Sequence, residues 1–496
     1  MNVRCFGARC ARPRPGVRQS AGAFVSVALP SKAPVPCHIP KHGDALKSAS
    51  ILIALLWCLT LLSLIVIGML HSARMDLTVQ KNYGDRIQAH YLAIAGIEKA
   101  KALLYRDARD RSRISRNHTG QLYDSPEDFR DVNLGRGEFR VFHRAQENAG
   151  GGVVYGAQDE EARLNINYAS FESLSNIDRM TPDIAAAIID WRDEDNQVSP
   201  GGAEADYYTS LQPPYLPRNG PFQTVRELLM VRGVTRELLF GTAETQNGNS
   251  DDLSANDLES GWARIFTVDS WVNNVNAAGE ERVNIQSADE QELTRVQGIT
   301  QDIARAIIAY RNQNRFQSIA DLLDVTAVQN RPGSQQNPAP TQAVENQPAQ
   351  STDGAPSQPA PNPSGPKVIS QELLIQIADE VTVQTAREFP GAININTASL
   401  EVLMCLPGVT RQLAHAIISY RQANGFFPNI ACLLNVQEFG RDLLKRVAPL
   451  ISARSETFRI LSEGRIKSTG THARVQEIVH VGLHSLTTVS YREDDL

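Results

Sequence analysis

The sequence has few cysteines, few aromatic residues and no enzyme signature motif. Its six cysteines are too few for a disulfide scaffold in 496 residues, and Cys5, Cys10 and Cys37 all lie near the N-terminus. No HExxH, GxSxG or Walker-type sequence occurs. The protein is therefore predicted not to be an enzyme.

Positive charge is scarce beyond the N-terminus. Residues 1–47 carry eight Lys or Arg and a single acid, Asp44, a charge of +7, whereas the whole chain carries −6. The rest of the chain therefore carries −13. A nucleic-acid surface needs clustered basic residues that displace counterions from phosphates. This charge distribution favours a body that does not bind nucleic acid.

One long uncharged run, Ile51 to Leu70, follows the basic segment. As a helix it would be about 30 Å long, the thickness of a bilayer core. A cleaved secretory signal has a shorter apolar region of about 7–15 residues. The sequence therefore predicts one transmembrane helix at 50–71. The basic leader predicts a cytoplasmic N-terminus, with the bulk of the chain in the periplasm.

The helical pattern continues beyond this span to about Arg106. No proline interrupts it, and apolar residues recur every three or four positions at Val79, Tyr83, Ile87 and Ile94. We call these four residues the assembly stripe. The sequence therefore predicts one helix of about 55 residues, apolar all round at first and amphipathic later.

A helical pattern occurs three times further along the chain. The copies begin at Leu164, Val283 and Ile393, and each has a short capped helix, a tight turn and a longer helix with the pattern A-x-x-I-I-x-[WY]-R. A closing segment follows each copy, FQTVRELLMV, FQSIADLLDV and FPNIACLLNV. The three copies resemble helix-hairpin-helix (SAM-like) modules.

Such modules often bind DNA through a turn with two glycines, whose backbone N–H groups approach a phosphate closely. The second and third copies keep the first glycine, Gly298 and Gly408, but have Thr300 and Thr410 in place of the second. The first copy has neither glycine. The modules are therefore predicted to pack and to present a protein surface, with DNA binding as the alternative.

The first copy contains an acidic insert, DWRDEDNQVSPGGAEADYYTSLQPPYLPRNGPF. Asp193, Asp195, Glu204 and Asp206 supply hard oxygen donors around a Gly-Gly turn, which suits Ca²⁺. The insert predicts a calcium site with these four ligands, with a solvated acidic loop as the alternative.

In the third copy, Cys405 and Cys432 align with polar residues of the other copies, which predicts positions near the surface and leaves open whether they form a disulfide.

Two features link the chain to a known family. The run from Leu55 to Leu104 resembles the N-terminal helix of pilins and pseudopilins, and the PGGAE-x-DYY run resembles the insert of the minor pseudopilin K of type II secretion. The resemblance implies a leader cut by prepilin peptidase after Ser48 or Ala49, next to Lys47. It also implies a place at the pseudopilus tip with minor pseudopilins I and J, in the export of folded proteins across the outer membrane.

The expected fold class is α+β, a pilin-like long N-terminal helix on an antiparallel sheet with inserted all-α modules. A C-terminal hairpin is expected through Lys467–Thr471. The alternative function is a membrane-anchored, ComEA-like DNA-binding protein. The predicted segments are a leader at 1–49, the membrane helix at 50–71, the pilin-like helix and first strands at 72–163, the first module at 164–241, strands and the second module at 262–325, a Pro/Gln-rich linker at 326–366, the third module at 367–452, and the hairpin and tail at 453–496.

Overall fold

The computed structural model of the protein describes residues 45–114, 120–144, 152–241, 261–327 and 366–493. Most of the predicted leader lies outside the described residues. The chain divides into two compact units, one that ends at Leu77 and one that begins at Thr78. The described helices are α1 Ala45–Ile114, α2 Pro126–Phe129, α3 Phe171–Ser175, α4 Pro182–Arg192, α5 Ala205–Thr209, α6 Arg236–Phe240, α7 Glu290–Arg295, α8 Gln301–Arg311, α9 Gln371–Ile377, α10 Leu400–Met404, α11 Arg411–Asn424 and α12 Arg441–Val447.

Within the described residues the strands are mostly short, and only three have seven or more residues. They are β1 Val132–Leu134, β2 Gly137–Val141, β3 His143–Arg144, β4 Val153–Val154, β5 Gln158–Asp159, β6 Leu164–Asn165, β7 Phe266–Thr267, β8 Trp271–Asn273, β9 Val283–Asn284, β10 Val381–Thr382, β11 Glu388–Pro390, β12 Ile393–Asn394, β13 Ile451–Ser452, β14 Thr457–Ile466, β15 His472–Val481 and β16 Leu486–Arg492.

The described part of the first unit is helical. Within the residues described, α1 is the one helix long and apolar enough to cross a membrane. The large apolar side chains between Ile51 and Leu70 are all exposed, as expected of a segment whose solvent is lipid. The helix is longer than predicted, since it extends to Ala45 at one end and to Ile114 at the other.

In the second unit, α1 packs on a six-stranded sheet through small residues. Ala89, Ala93 and Ala100 are fully buried on this face. Two glycines permit the close approach, because a Cβ on Gly96 would lie 2.2 Å from the Ser462 hydroxyl and one on Gly464 would lie 2.0 Å from the Ala89 carbonyl oxygen. The backbone of α1 therefore packs directly against the backbone of the sheet at these glycines.

The sheet has the strand order β1-β2-β14-β15-β16, and β5 also pairs with β14. The pairings are antiparallel. The predicted C-terminal hairpin is confirmed as β14 and β15. The segment expected to be a tail contributes an additional edge strand, β16. All three modules lie in the chain between β5 and β14, which confirms the expected fold class of a long helix on an antiparallel sheet with inserted modules.

Each module is closed by a two-residue parallel strand pair. The first strand of the module pairs with a strand that follows its last helix, as β6 with β7, β9 with β10 and β12 with β13. One hydrophobic core runs through the three modules. The Asn-containing strand at the start of each repeat thus holds the two ends of the module together.

This closure changes one predicted domain boundary. The second module was expected to end at residue 325, but its closing strand β10 and its last helix α9 follow the Pro/Gln-rich segment. Residues 371–377 (QELLIQI) are the counterpart of RELLF in α6 and RDLLKRV in α12. The linker is therefore an insertion inside the second module, and its conformation lies outside the described residues.

The two ends of this insertion lie side by side. Thr326 and Lys367 form an antiparallel bridge, and the Ala327 N–H donates to the Pro366 carbonyl at 2.9 Å. The Val368 N–H donates to the Val325 carbonyl at 3.1 Å. The chain therefore returns from the insertion to the place where it left the module.

Candidate functional site

The arginine that ends each long module helix points inward. The guanidinium of Arg311 donates to the carbonyls of Ile285 (3.2 Å) and Ala288 (2.6 Å), and that of Arg421 donates to Ile395 and Ala398, both at 2.8 Å. Arg192 makes the same two contacts, with Ile166 and Ala169. The repeated arginine is therefore a clamp that holds the turn between the first strand and the first helix of its own module.

A second repeated contact joins the start of each module to its closing segment. The Asn396 side chain donates to the Phe427 carbonyl at 3.0 Å and accepts from the Phe427 N–H at 2.7 Å. Asn167 makes the same pair with Phe222, and Gln286 donates to the Phe316 carbonyl. The residues that the three copies share thus serve internal packing.

The hairpin turns differ among the copies. Gly298 and Gly408 have φ angles of 105° and 78°, in the left-handed region, and Arg179 has the equivalent conformation with φ of 60°. The Cα of Gly408 faces the Arg446 guanidinium, and that of Gly298 faces Leu373 of α9. A part of the second and third turns is thus in contact with the last helix of the same module.

The insert of the first module is folded around four aromatic residues. The ring centroid of Trp191 lies 5.1 Å from that of Tyr208 and 6.3 Å from those of Tyr215 and Phe222. The Trp191 indole N–H donates to Glu227 at 3.1 Å. These contacts fix the acidic segment against α4.

Three carboxylates converge where the insert meets α4. Asp190, Asp193 and Glu204 each offer an oxygen, and these oxygens all lie within 4.8 Å of one another. Asp190 and Glu204 are buried. Gly202 is needed here, because a Cβ at that position would lie 2.0 Å from Asp190 Oδ2. Two ligands at 2.3–2.6 Å from one Ca²⁺ lie at most about 5 Å apart, so the spacing fits this ion.

The electrostatics of this carboxylate cluster also fit a cation. Oδ1 of Asp190, Oδ1 of Asp193 and both Glu204 oxygens are buried without a hydrogen-bond partner in the described part of the chain. Burial and the neighbouring carboxylates raise the pKa of Glu204 to about 7, and they raise the pKa of Asp193. Buried acceptors without donors are costly, and a hard cation would satisfy all four.

The structure brings together only part of the predicted calcium site. Asp193 and Glu204 belong to the cluster, but Asp195 and Asp206 are exposed outside it, and Asp195 accepts instead from the Gln197 N–H at 2.8 Å. Asp190 was missed because it precedes the acidic run. Its counterparts in the other copies are Ala309 and Ser419. The presence of an acid at a position that is uncharged in the other two copies could have identified Asp190 as a candidate ligand from the sequence.

The assembly stripe is exposed over most of its length. Val79, Tyr83 and Ile87 are exposed, and Tyr91 continues the exposed row, whereas Ile94 is half-buried against the sheet core. The stripe is therefore distinct from the alanine face on which α1 meets the sheet. Lys47, Ser48 and Ala49, the residues of the predicted cleavage site, lie at the start of α1.

The two cysteines of the third module are buried, which corrects the expectation that they lie near the surface. Cys405 and Cys432 are 0% and 6% exposed, and both are free thiols. Burial raises the pKa of Cys405 to about 12. Both therefore act as small apolar residues of the module core.

Two family models match the chain. Residues 155–240 match the first domain of type II secretion system protein K, and residues 278–331 and 391–452 match the helix-hairpin-helix motif. The first match contains the carboxylate cluster and its insert. The other two matches cover the second module as far as its insertion and the third module.

Relatives of three kinds match parts of the chain. Type II secretion system protein K of Klebsiella pneumoniae is 30% identical over 31% of this chain and 48% of its own length. Endonuclease/exonuclease/phosphatase family domain-containing protein 1 of Mus musculus is 28% identical over 34% of this chain and 27% of its own. ComE operon protein 1 of Bacillus subtilis is 32% identical over 17% of this chain and 41% of its own. The chain thus spans about a quarter to a half of these relatives.

A solved structure, the GspK-GspI-GspJ complex of the enterotoxigenic Escherichia coli type 2 secretion system, covers 85% of this chain and all of the matched chain. The identity is 12% and the TM-score 0.41, a value too low to define a common fold.

The fold and the modules define a pilin-like protein with a helix able to cross a membrane and three helix-hairpin-helix units. Within it, residues 155–240 are similar to the first domain of type II secretion system protein K, and the chain is similar in part to the Klebsiella protein K. The resemblance inferred from the sequence is thereby confirmed.

Proposed function

We propose that this protein is a minor pseudopilin, anchored in the inner membrane by α1, that supports export of folded proteins by a type II secretion system. The observation that carries the proposal is the match to the protein K domain at residues 155–240, with its folded acidic insert, in a chain whose residues 45–114 form one long pilin-like helix. In this role the protein is structural and performs no catalysis. Its N-terminus is cytoplasmic and its modules are periplasmic.

The proposed partners are minor pseudopilins I and J, and the proposed contact surface is the assembly stripe. Ile87 is 41% exposed and Tyr83 is 69% exposed, although both are large and apolar. A contiguous apolar row on a helix is typical of helix-helix packing. Val79, Tyr83 and Ile87 remain available for a partner because the sheet packs on a different face of α1, the one that carries the buried alanines.

Co-purification of the full-length protein with I and J from the same bacterium tests this assignment. Ile87→Asp is expected to reduce the recovered partners about tenfold, since a charge buried in an apolar interface costs more than 1.4 kcal/mol. Asn82→Asp is the matched control. Asn82 is also exposed on α1, but it lies about 140° around the helix axis from Ile87 and therefore outside the assembly stripe. Equal recovery with both variants, or no recovery of I and J with the unmodified protein, would refute the assignment.

Processing and calcium binding belong to the same proposal. Prepilin peptidase is expected to cut after Ser48 or Ala49, and mass spectrometry of the membrane-extracted protein tests this. An N-terminus at Met1 or beyond Leu70 contradicts it. Calcium is proposed to bind Asp190, Asp193 and Glu204, with further oxygens from water or backbone to complete its usual six to eight.

The second candidate is a membrane-anchored DNA-binding protein, favoured by the helix-hairpin-helix matches and by the similarity to ComE operon protein 1. Against it, the three repeated arginines are bound inside their modules, and the first hairpin lacks glycine. The full chain is expected to bind duplex DNA no better than an equally acidic control at physiological salt. Micromolar, salt-sensitive binding that is lost in Arg411→Ala would favour the DNA receptor.

A further inference from the structure

The second and third modules pack against each other through equivalent elements. The closing segment of each module forms a short 3₁₀ helix, at Val225–Met230 in the first module, Ile319–Asp324 in the second and Ile430–Asn435 in the third. Helix α12 of the third module contacts the closing segment of the second, and α9 of the second contacts that of the third. The two modules are therefore paired reciprocally, as two copies related by a two-fold axis would be.

One half of this pairing is ionic. The Lys445 ammonium on α12 binds the Asp324 carboxylate in the closing segment of the second module, and it lies 3.4 Å from the Asp321 carboxylate. The guanidinium of Arg441, one turn earlier on α12, lies 3.7 Å from the Asp324 carboxylate. These ion pairs join the third module to the second.

The other half of the pairing uses backbone carbonyls as acceptors. The Asn429 amide donates to the Ile375 carbonyl at 2.8 Å, and the Gln371 amide donates to a carbonyl of the third module's closing segment at 3.2 Å. In the repeat, Gln371 and Ile375 of α9 are the counterparts of Arg441 and Lys445 of α12. The same two positions of the last helix therefore contact the other module in both directions.

The first module exposes the surface that this pairing covers in the other two. Leu323 of the second module is 8% exposed, and its counterpart in the third, Leu434, is half-buried. Leu229 occupies this position in the first module and is 41% exposed, and the next residue, Met230, is 42% exposed. Arg226 is also exposed, whereas both of its counterparts are buried alanines. The pairing surface of the first module is therefore accessible.

The chemistry of this surface suits a copy of itself. Met230 stands at the position of Asp324, and Phe240 of α6 stands at the position of Lys445. The two positions that form an ion pair between the second and third modules are thus both apolar in the first. A two-fold axis would bring position 230 of each copy to position 240 of the other, and a thioether beside an aromatic ring is a favourable contact.

The rim of the surface carries charges of both signs. The guanidinium carbons of Arg226 and Arg236 each lie 6.0 Å from the centroid of the Phe240 ring, and Glu237 is exposed next to Arg236. Residues of opposite charge at the rim provide ion pairs across a two-fold axis, which fixes the orientation of two copies more than it adds affinity.

We propose that the first module of this protein pairs with the first module of a second copy, in the arrangement that the second and third modules adopt within the chain. Met230 of each copy packs on Phe240 of the other, and Leu229 is covered as Leu323 is. This self-association does not depend on the proposed role in secretion, because it is measured on the purified protein alone.

Sedimentation of the full-length protein in detergent tests the pairing. Met230→Asp and Phe240→Lys, each alone, are expected to raise the dimer dissociation constant at least about tenfold, because each places an unpaired charge against an apolar side chain. An equimolar mixture of the two variants is expected to form a heterodimer. One of its two contacts is then an Asp–Lys pair like that of Asp324 with Lys445, and the other keeps Met230 and Phe240.

Val198→Asp is the matched control and is expected to leave the dimer unchanged. Val198 is 58% exposed, but it lies in the acidic insert of the first module, which has no counterpart in the two paired modules. Association through α1 would be the same in every variant, since none of these substitutions touches that helix. A monomeric unmodified protein, or equal dimerisation by the unmodified protein and Met230→Asp, would overturn the proposal.

A second measurement leaves Met230 and Phe240 intact, so it decides the matter even if the charged variants fail to fold. Leu229 is replaced by the photoreactive residue p-benzoylphenylalanine in the full-length protein, and the producing cells are irradiated. A cross-link to a second copy of the chain is expected. A cross-link only to a different protein, or none at all, would contradict the pairing.

Discussion

The first and third modules have the same internal contacts but different surfaces. Both have the arginine clamp and the Asn-Phe backbone pair, and both close with a parallel strand pair. The first adds a folded acidic insert with a carboxylate cluster and replaces the hairpin glycine by Arg179. Repeated residues therefore maintain the fold, and residues that differ between copies indicate where function resides.

The largest expected effect comes from a contact that the copies share. Arg421→Ala leaves the Ile395 and Ala398 carbonyls without their donors, and we expect it to lower the free energy of unfolding by about 2–4 kcal/mol. Burial lowers the pKa of Arg421 to about 10, which reflects how far the guanidinium is removed from water. Urea unfolding of the full chain in detergent measures the change.

Arg411→Ala is the control within the same helix. Arg411 is exposed at the first position of α11, so we expect a change of less than about 0.5 kcal/mol. If both variants lost the same stability, the shared arginine would not be a clamp, and the comparison between copies would lose its basis.

The next effect belongs to the first module alone. If calcium binds the carboxylate cluster, a concentration of 100 times Kd should stabilise the protein by about 2.7 kcal/mol, because the ion binds only the folded state. Asp190→Asn with Glu204→Gln should abolish this gain in a thermal melt. Asp195→Asn with Asp206→Asn should keep it, since both residues lie outside the cluster.

The same cluster predicts a pH effect without calcium. The pKa of Glu204 is raised from 4.5 to about 7, so its contribution to metal-free stability should be fully present below pH 4.5 and should be lost as pH rises through about 7. Calcium should reverse this fall by neutralising the carboxylates. Terbium should emit on excitation of Trp191, the residue next to Asp190. No calcium shift and no terbium emission would mean that the carboxylate cluster binds no cation.

The sequence predicted the parts of the fold that depend on local pattern. The membrane helix follows from an uncharged run, the modules follow from a repeat, and the C-terminal hairpin follows from alternation around Lys467–Thr471. Burial of charge could not be predicted in this way. Asp159 to Glu161 lie in a segment predicted as strand, and only tertiary contacts from residues more than 100 positions away bury them.

Two further predictions differ from the structure because they also depend on contacts between residues that are distant in sequence. The last helix of the second module was assigned to the third because the Pro/Gln-rich insertion separates it in sequence from its own repeat. Asp190 was missed as a candidate ligand because the acids after it form a denser run, although Asp195 and Asp206 lie outside the cluster. Sequence spacing identified the insert but not which of its carboxylates converge.

The acidic insert of the first module and the Pro/Gln-rich insertion of the second differ in how they are held, and this difference provides a third test of the comparison between modules. That of the first module is anchored by Trp191, Tyr208 and Glu227, whereas that of the second begins and ends at one bridge between Thr326 and Lys367. Replacing residues 328–365 by a four-residue Gly/Ser turn should leave stability unchanged or raise it by up to about 2 kcal/mol, because loop closure costs less entropy. Urea unfolding measures this. A loss above about 1 kcal/mol would mean that the insertion contributes to the fold.

The smallest expected effect concerns the hairpin turns. Arg179 adopts φ of 60°, where an L-residue with a Cβ is strained, and the third module has Gly408 with φ of 78° at the equivalent turn. Arg179→Gly should therefore stabilise the first module by up to about 1 kcal/mol, offset in part by the greater freedom of glycine in the unfolded chain. Gly408→Ala should do the reverse, and its Cβ would also displace the Arg446 guanidinium, 2.8 Å away. Thermal unfolding of both variants measures the pair. If Arg179→Gly were destabilising, the arginine side chain would have a packing role in its turn, and the first hairpin would differ from the others in more than the loss of glycine.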